Sequence, residues 1–283
     1  MPHSSESHWP RPADGDRHGD GHVTGTGRTR LAHDGPCQHE RAGPEEIMST
    51  EAKPTIVLVH GAFAESGGWG PVADRLQAEG YGVIAAANPL RSVASDAAQV
   101  RALVDSIEGK VVLVGHSYGG MVISKAAAGA GNVTSLVYVA GFAPEEGESG
   151  VTLAGQFPGS TLADTLRPVS LPDGNEDMYV AQELYRNQFA ADVPEKTTRV
   201  MAATQRPITA AALSEPAQGP QAWKTLPTFF LIAEADKNIP AQAHHFMAGR
   251  AGGDVVSVEG ASHAVFASHP EEVADLILRA AKS

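Results

Sequence analysis

Gly115-His116-Ser117-Tyr118-Gly119 sets a serine between glycines two positions away on either side. That is the spacing a sharp strand-to-helix turn needs to present a hydroxyl without collisions between neighbouring Cβ atoms. The apolar run VVLVG (111–115) leads into the motif and a helical stretch, 118–129, leaves it. A serine that merely caps a helix has no need of that context. A serine hydroxyl is a weak nucleophile until a base within hydrogen-bond reach takes its proton, and the base needs a third group to orient it.

Four histidines follow Ser117. His244 and His245 fall inside a helical stretch, and His269 precedes Pro270 at a helix start. His263, in EGASH (259–263), lies in the loop after the last apolar strand, where it returns to the carboxyl edge of the sheet. The orienting acid is expected at the end of the preceding strand. Asp236 in EADKNIP (234–240) meets that requirement, with Glu234 beside it and Glu145 after the fourth strand as rivals. A tetrahedral intermediate also calls for two amides aimed at its oxyanion. Those expected are the N–H of Tyr118, directly after the nucleophile, and that of Ala62 in the loop HGAF (60–63), which His60 would brace.

Positioning these groups requires a particular set of elements. Apolar, β-branched segments recur at 55–60, 82–86, 111–115, 133–140, 228–233 and 254–258, separated by helical patterns at 69–80, 95–107, 118–129, 241–250 and 270–282. Alternation of this kind predicts an α/β fold with a mostly parallel sheet of about six strands covered by helices. The segment 144–227 breaks the rhythm. It carries several prolines and helical stretches at 177–190 and 194–205, and reads as a helical lid inserted after the fourth strand. Phe63, Trp69, Phe142, Met178 and Trp223 are the expected apolar walls of a substrate pocket beneath it.

Composition bounds the function class. A net charge of −12 disfavours nucleic acid and anionic membranes as partners. The single cysteine, Cys37, excludes an internal disulfide and a CxxC site. No apolar run approaches the ~20 residues of a membrane span, and no secretion signal is apparent, so a cytoplasmic address is expected. Residues 1–47 are rich in Gly, Pro, His and charge without apolar periodicity and read as a disordered extension. Six of the twelve histidines lie there, at spacings too irregular for a metal site. The stretch MSTEAKPTIVLVHG reads as a natural beginning of the folded domain, 48–283.

The pieces VLVHGAF (57–63), GHSYGG (115–120), ADKNIP (235–240) and GASHAVF (260–266) resemble α/β-hydrolase superfamily carboxylesterases. The resemblance is to the branch holding the plant methylesterases, the hydroxynitrile lyases and their bacterial relatives. It implies the α/β-hydrolase fold, a Ser117–His263–Asp236 triad, an oxyanion hole from Ala62 and Tyr118, and no metal or organic cofactor. The lyases of that branch carry a lysine directly after the histidine, where this chain has Ala264. That departure argues against lyase chemistry. The expectation is a serine esterase acting on small carboxylic esters. The alternatives on this scaffold are carbon–carbon or amide hydrolysis, peracid formation, lyase activity or non-catalytic binding of a small ligand.

Overall fold

Parallel strands buried on both faces read as continuous apolar runs, and two such runs lie at the centre of this molecule. The structure is a computed structural model that describes residues 52–283. The extension 1–47, Cys37 and the Met48 start lie outside the described residues. The main sheet has six parallel strands: β1 (Thr55–Val59), β2 (Val83–Ala86), β3 (Val111–His116), β4 (Val133–Val139), β8 (Thr228–Ala233) and β9 (Asp254–Val258), in the order β2-β1-β3-β4-β8-β9. All of β3 and β8 is buried, as is β1 after its first residue.

Helices α1 (Gly70–Ala78), α2 (Val93–Asp105), α3 (Gly119–Ala126), α8 (Ala241–Ala251), α9 (Val265–Ser268) and α10 (Pro270–Ala280) accompany the sheet; α1 packs on α10 and α2 on α3. Their ends follow local chemistry. Pro71 sits in the first turn of α1 and Gly80 follows its end at φ 77°; Ser92 caps α2 by accepting from the Ser95 amide. The chain leaves β1 toward β2 and then crosses back to β3 on the other side. Strand order reverses there, so a crevice opens at the carboxyl ends of β1 and β3. Ala62 and Ser117 follow those two strands.

The segment 144–227 differs from a purely helical lid. It carries α4 (Gly150–Ala154), α5 (Gln182–Phe189), α6 (Glu195–Thr204) and α7 (Ala210–Ser214), together with a three-stranded antiparallel sheet of β5 (Leu166–Ser170), β6 (Glu176–Val180) and β7 (Ile208–Thr209). The expected helix at 177–190 therefore begins only at Gln182, and residues 177–180 belong to β6. The turn Pro172-Asp173-Gly174-Asn175 joins β5 to β6. Gly174 takes φ 85°, the Asp173 carboxylate accepts from the Asn175 amide at 3.0 Å, and Leu171 N–H reaches the Asn175 carbonyl at 2.8 Å. This is hairpin chemistry.

This cap is tied to the loop before α2. The Arg91 guanidinium donates to Asp177 at 2.7 Å and to the Pro207 carbonyl at 2.8 Å. Thr209 N–H donates to the Leu90 carbonyl at 3.1 Å. The Glu215 carboxylate accepts from the Val93 and Ala94 amides at 2.6 and 3.2 Å, a favourable place for an anion at a helix start. Among the described residues no helix is long and apolar enough to cross a membrane.

Candidate active site

Ser117 sits at φ 52°, in the left-handed region that non-glycine residues seldom occupy. Its backbone is held by three hydrogen bonds: Ser117 N–H to the Val139 carbonyl, and the Gly120 and Phe142 amides to the Ser117 carbonyl. Two glycines let the chain pass so tightly. A Cβ on Gly115 would lie 2.6 Å from the Gly119 carbonyl oxygen, and one on Gly61 would lie 2.6 Å from Ser117 Cβ and 2.8 Å from the His116 carbonyl. The loop after β1 is thereby pressed against the serine turn.

Asp236 leaves the end of β8 with its side chain buried. One carboxylate oxygen accepts the amides of Asn238 and Ile239 at 2.7 and 3.0 Å. The other faces His263 Nδ1 at 2.6 Å. A carboxylate only accepts, so Nδ1 carries the proton and Nε2 of His263 is left with a free lone pair. Burial opposes ionisation of Asp236. The charge of His263 and the donors from His244 and His263 outweigh it and hold the carboxyl well below the usual carboxylate range.

The His263 loop is braced from several sides. The His263 ring packs edge-on to Phe189 of α5 at 4.9 Å and against the His116 ring at 4.7 Å. His116 Nε2–H donates to the His263 carbonyl at 3.0 Å, and burial keeps His116 neutral far below its ordinary range. Ala264 N–H donates to the Phe189 carbonyl at 2.9 Å. Asp192 accepts from Ser262 Oγ and pairs with His269.

In the loop after β1, His60 Nδ1–H donates to the Gly61 carbonyl at 2.9 Å, while Nε2 accepts the Asn88 amide at 3.1 Å. Burial lowers its pKa to about 4, so the ring is a neutral brace. Phe63 N–H is taken by the Arg206 carbonyl at 2.9 Å, so it is not free to meet a ligand in the cavity. Ala62, Tyr118, Ser117 and His263 all line one cavity of about 320 Å³. Its remaining wall is largely apolar and includes Phe63, Phe142, Val151, Leu162, Leu166 and Leu213; Ser160 and Asn238 add polar groups, and among the described residues no Lys, Arg, Asp or Glu takes part. The volume suits a small organic ligand.

Of the five expected wall residues, Phe63 and Phe142 line this cavity. The other three lie elsewhere. Trp69 packs on Phe266 at 5.2 Å, Trp223 donates to the Pro144 carbonyl at 2.7 Å, and Met178 pairs with Pro168 and Ile208 inside the cap sheet. The rival acids are engaged away from His263: Glu234 pairs with His245 at 2.9 Å and Glu145 with Lys224 at 2.6 Å. Sequence reasoning missed His244, whose Nε2 lies 3.3 Å from the same Asp236 oxygen that faces His263. It stands one turn into α8, eight residues past the acid, and no local sequence pattern ties it to Asp236.

Residues 56–276 match the alpha/beta hydrolase family. Alpha/beta hydrolase nvfD of Aspergillus novofumigatus is 29% identical over 255 residues, covering 81% of this chain and 97% of the relative. Esterase PIR7B of Oryza sativa subsp. japonica is 24% identical over 262 residues, covering 83% and 98%. Among solved structures, the methylesterase MES16 from Arabidopsis superposes with a TM-score of 0.68 at 18% identity, over 81% of this chain and 99% of that one.

Proposed function

The chain belongs to the alpha/beta hydrolase family, and from that premise we propose that it is a serine esterase cleaving small, uncharged carboxylic esters through an acyl-enzyme. The observation that supports this reading most is the 2.6 Å contact between His263 Nδ1 and a buried Asp236 carboxylate, with His263 and the left-handed Ser117 in the wall of one apolar cavity. The similarity to a rice protein named an esterase agrees with it.

In the proposed reaction His263 Nε2 takes the Ser117 proton as Oγ attacks the ester carbonyl. The Ala62 and Tyr118 amides hold the oxyanion, and Asp236 stabilises the imidazolium. The imidazolium then gives its proton to the departing alkoxide, leaving an acylated serine and a free alcohol. Water, deprotonated by His263, attacks the acyl carbon; Ser117 Oγ leaves and takes the proton back, and the carboxylic acid departs. Among the described residues no Lys, Arg, Asp or Glu lines the cavity, which supports neutral substrates, because an unpaired charge moved into such a site is strongly disfavoured.

Hydrolysis of p-nitrophenyl acetate and butyrate by the parent and by Ser117→Ala tests the reading. Sustained turnover in the parent that falls to background in the variant is expected. A folded parent that hydrolyses neither ester would overturn it.

A further inference from the structure

A carboxylate has about four acceptor positions, and all four of those on Asp236 are addressed. One oxygen takes the Asn238 and Ile239 amides; the other takes His263 Nδ1 at 2.6 Å and His244 Nε2 at 3.3 Å. The side chains of Asp236, His263 and His244 are almost wholly shut off from solvent. Since the carboxylate cannot donate, it fixes both rings at once, His263 as the Nδ1–H tautomer and His244 as the Nε2–H donor. His244 belongs to helix α8, where its amide is bonded to the Pro240 carbonyl and its neighbours Ala243 and Met247 are buried. The second donor is therefore held by a rigid element, whereas the amides come from the acid's own loop.

We propose that His244 is a positioning residue of the esterase reaction: it locks the Asp236 carboxylate from the helix side and so fixes the ring of His263. The inference rests on the esterase reading above. The unequal distances set its scale. The short contact transmits the carboxylate's charge to His263, and the longer one restrains where that carboxylate points. Without His244 the outer oxygen has one donor, the carboxylate gains freedom to swing, and His263 loses alignment with Ser117. His244 does not line the cavity, so substrate binding stays as it is while the chemical step slows.

Four measurements on the full chain test this. With p-nitrophenyl butyrate, His244→Leu should lower kcat about tenfold with KM within about twofold, the scale of losing a group that orients a directly acting ligand. His244→Gln, which restores an N–H donor, should recover most of the loss. In an Asp236→Ala background His244→Leu should change kcat by less than about twofold, because the group it acts through is gone. An unchanged kcat in His244→Leu, or an equal loss with and without Asp236, would overturn the proposal. The fourth readout needs no turnover: the downfield proton resonance of His263 Nδ1–H should move in His244→Leu and return toward its position in His244→Gln. A resonance that stays put overturns the proposal even if the parent hydrolyses no ester, so failure of the esterase reading is distinguishable from failure of this one. His244→Met is the second donor-free variant should the leucine substitution prevent folding.

Discussion

Substitutions at Ser117, Asp236 and Gly61 should each fail in a different way. Ser117→Ala removes the nucleophile, and turnover of p-nitrophenyl esters should fall to background. Asp236→Asn should keep the fold and lower kcat by roughly 10⁴-fold, the scale seen when the orienting acid of such a triad is neutralised. Titration of acyl-enzyme formation by stopped flow would show the loss in the acylation step. Gly61→Ala acts by crowding, because its Cβ would sit 2.6 Å from Ser117 Cβ, and neither that atom nor the His116 carbonyl can retreat. Loss of activity together with about 1–3 kcal/mol of stability is expected, measured by urea unfolding. Ser117, His263 and Asp236 were legible because the signals are local: a spacing of glycines, and loops that follow apolar strands. His244 was not, because helix periodicity assigns a residue to a face but says nothing about a carboxylate reached back across the preceding loop. Phe63 and Phe142 were legible as lining, whereas Trp69 and Trp223 were legible only as apolar: Trp69 packs on Phe266 and Trp223 donates to the Pro144 carbonyl, tertiary contacts that residue type does not announce.

At the scale of elements, the six strands of the main sheet declare themselves through mostly apolar runs rich in Val and Ile, whereas those of the cap do not. β5 reads LRPVS, with Pro168 inside it, and most of its residues are exposed; a proline in an exposed edge strand conceals the strand from an apolar-pattern reading. The informative signal was Pro-Asp-Gly-Asn at 172–175, a turn sequence flanked by residues able to pair. The same hairpin places Asp177 where Arg91 can reach both it and the Pro207 carbonyl. That double tie holds the cap sheet on the loop before α2, and cap residues such as Leu162 and Leu166 form part of the cavity wall. Arg91→Ala should therefore raise KM several-fold while leaving kcat close to the parent value, since the guanidinium it removes bonds to Pro89, Asp177 and Pro207, none of them in the cavity wall, while the Arg91 amide that donates to Asp96 is kept. A fall in kcat at constant KM would show that the tie does not govern the cap wall.

For the whole molecule, two buried histidines couple folding to pH. His60 is held neutral down to about pH 4 by burial, with Arg206 adding to the effect, and His116 is lowered well below its ordinary value for the same leading reason. An unfolded chain protonates such rings near pH 6.5. Between pH 6.5 and 4 the unfolded state thus binds up to two more protons at these positions than the folded one. Stability is fully present above pH 6.5 and is lost as pH falls through that window, by about 1.4 kcal/mol per pH unit for each ring. Asp236, whose carboxyl is held low, continues the loss below about pH 4. Asp96, whose carboxyl is raised chiefly by burial, works the other way at that end, because the folded state takes up its proton first. Urea unfolding at pH 7, 6 and 5 should therefore show stability falling well before the carboxylates titrate. His60→Gln removes one of the two rings, and its stability should fall with a slope smaller by about one proton, whatever its stability at pH 7. The slope and not the offset is the deciding quantity, because a glutamine in this loop also loses packing at every pH. A parent whose stability is flat between pH 7 and 5 would mean that the two buried rings gain protons in the folded state as readily as in the unfolded one.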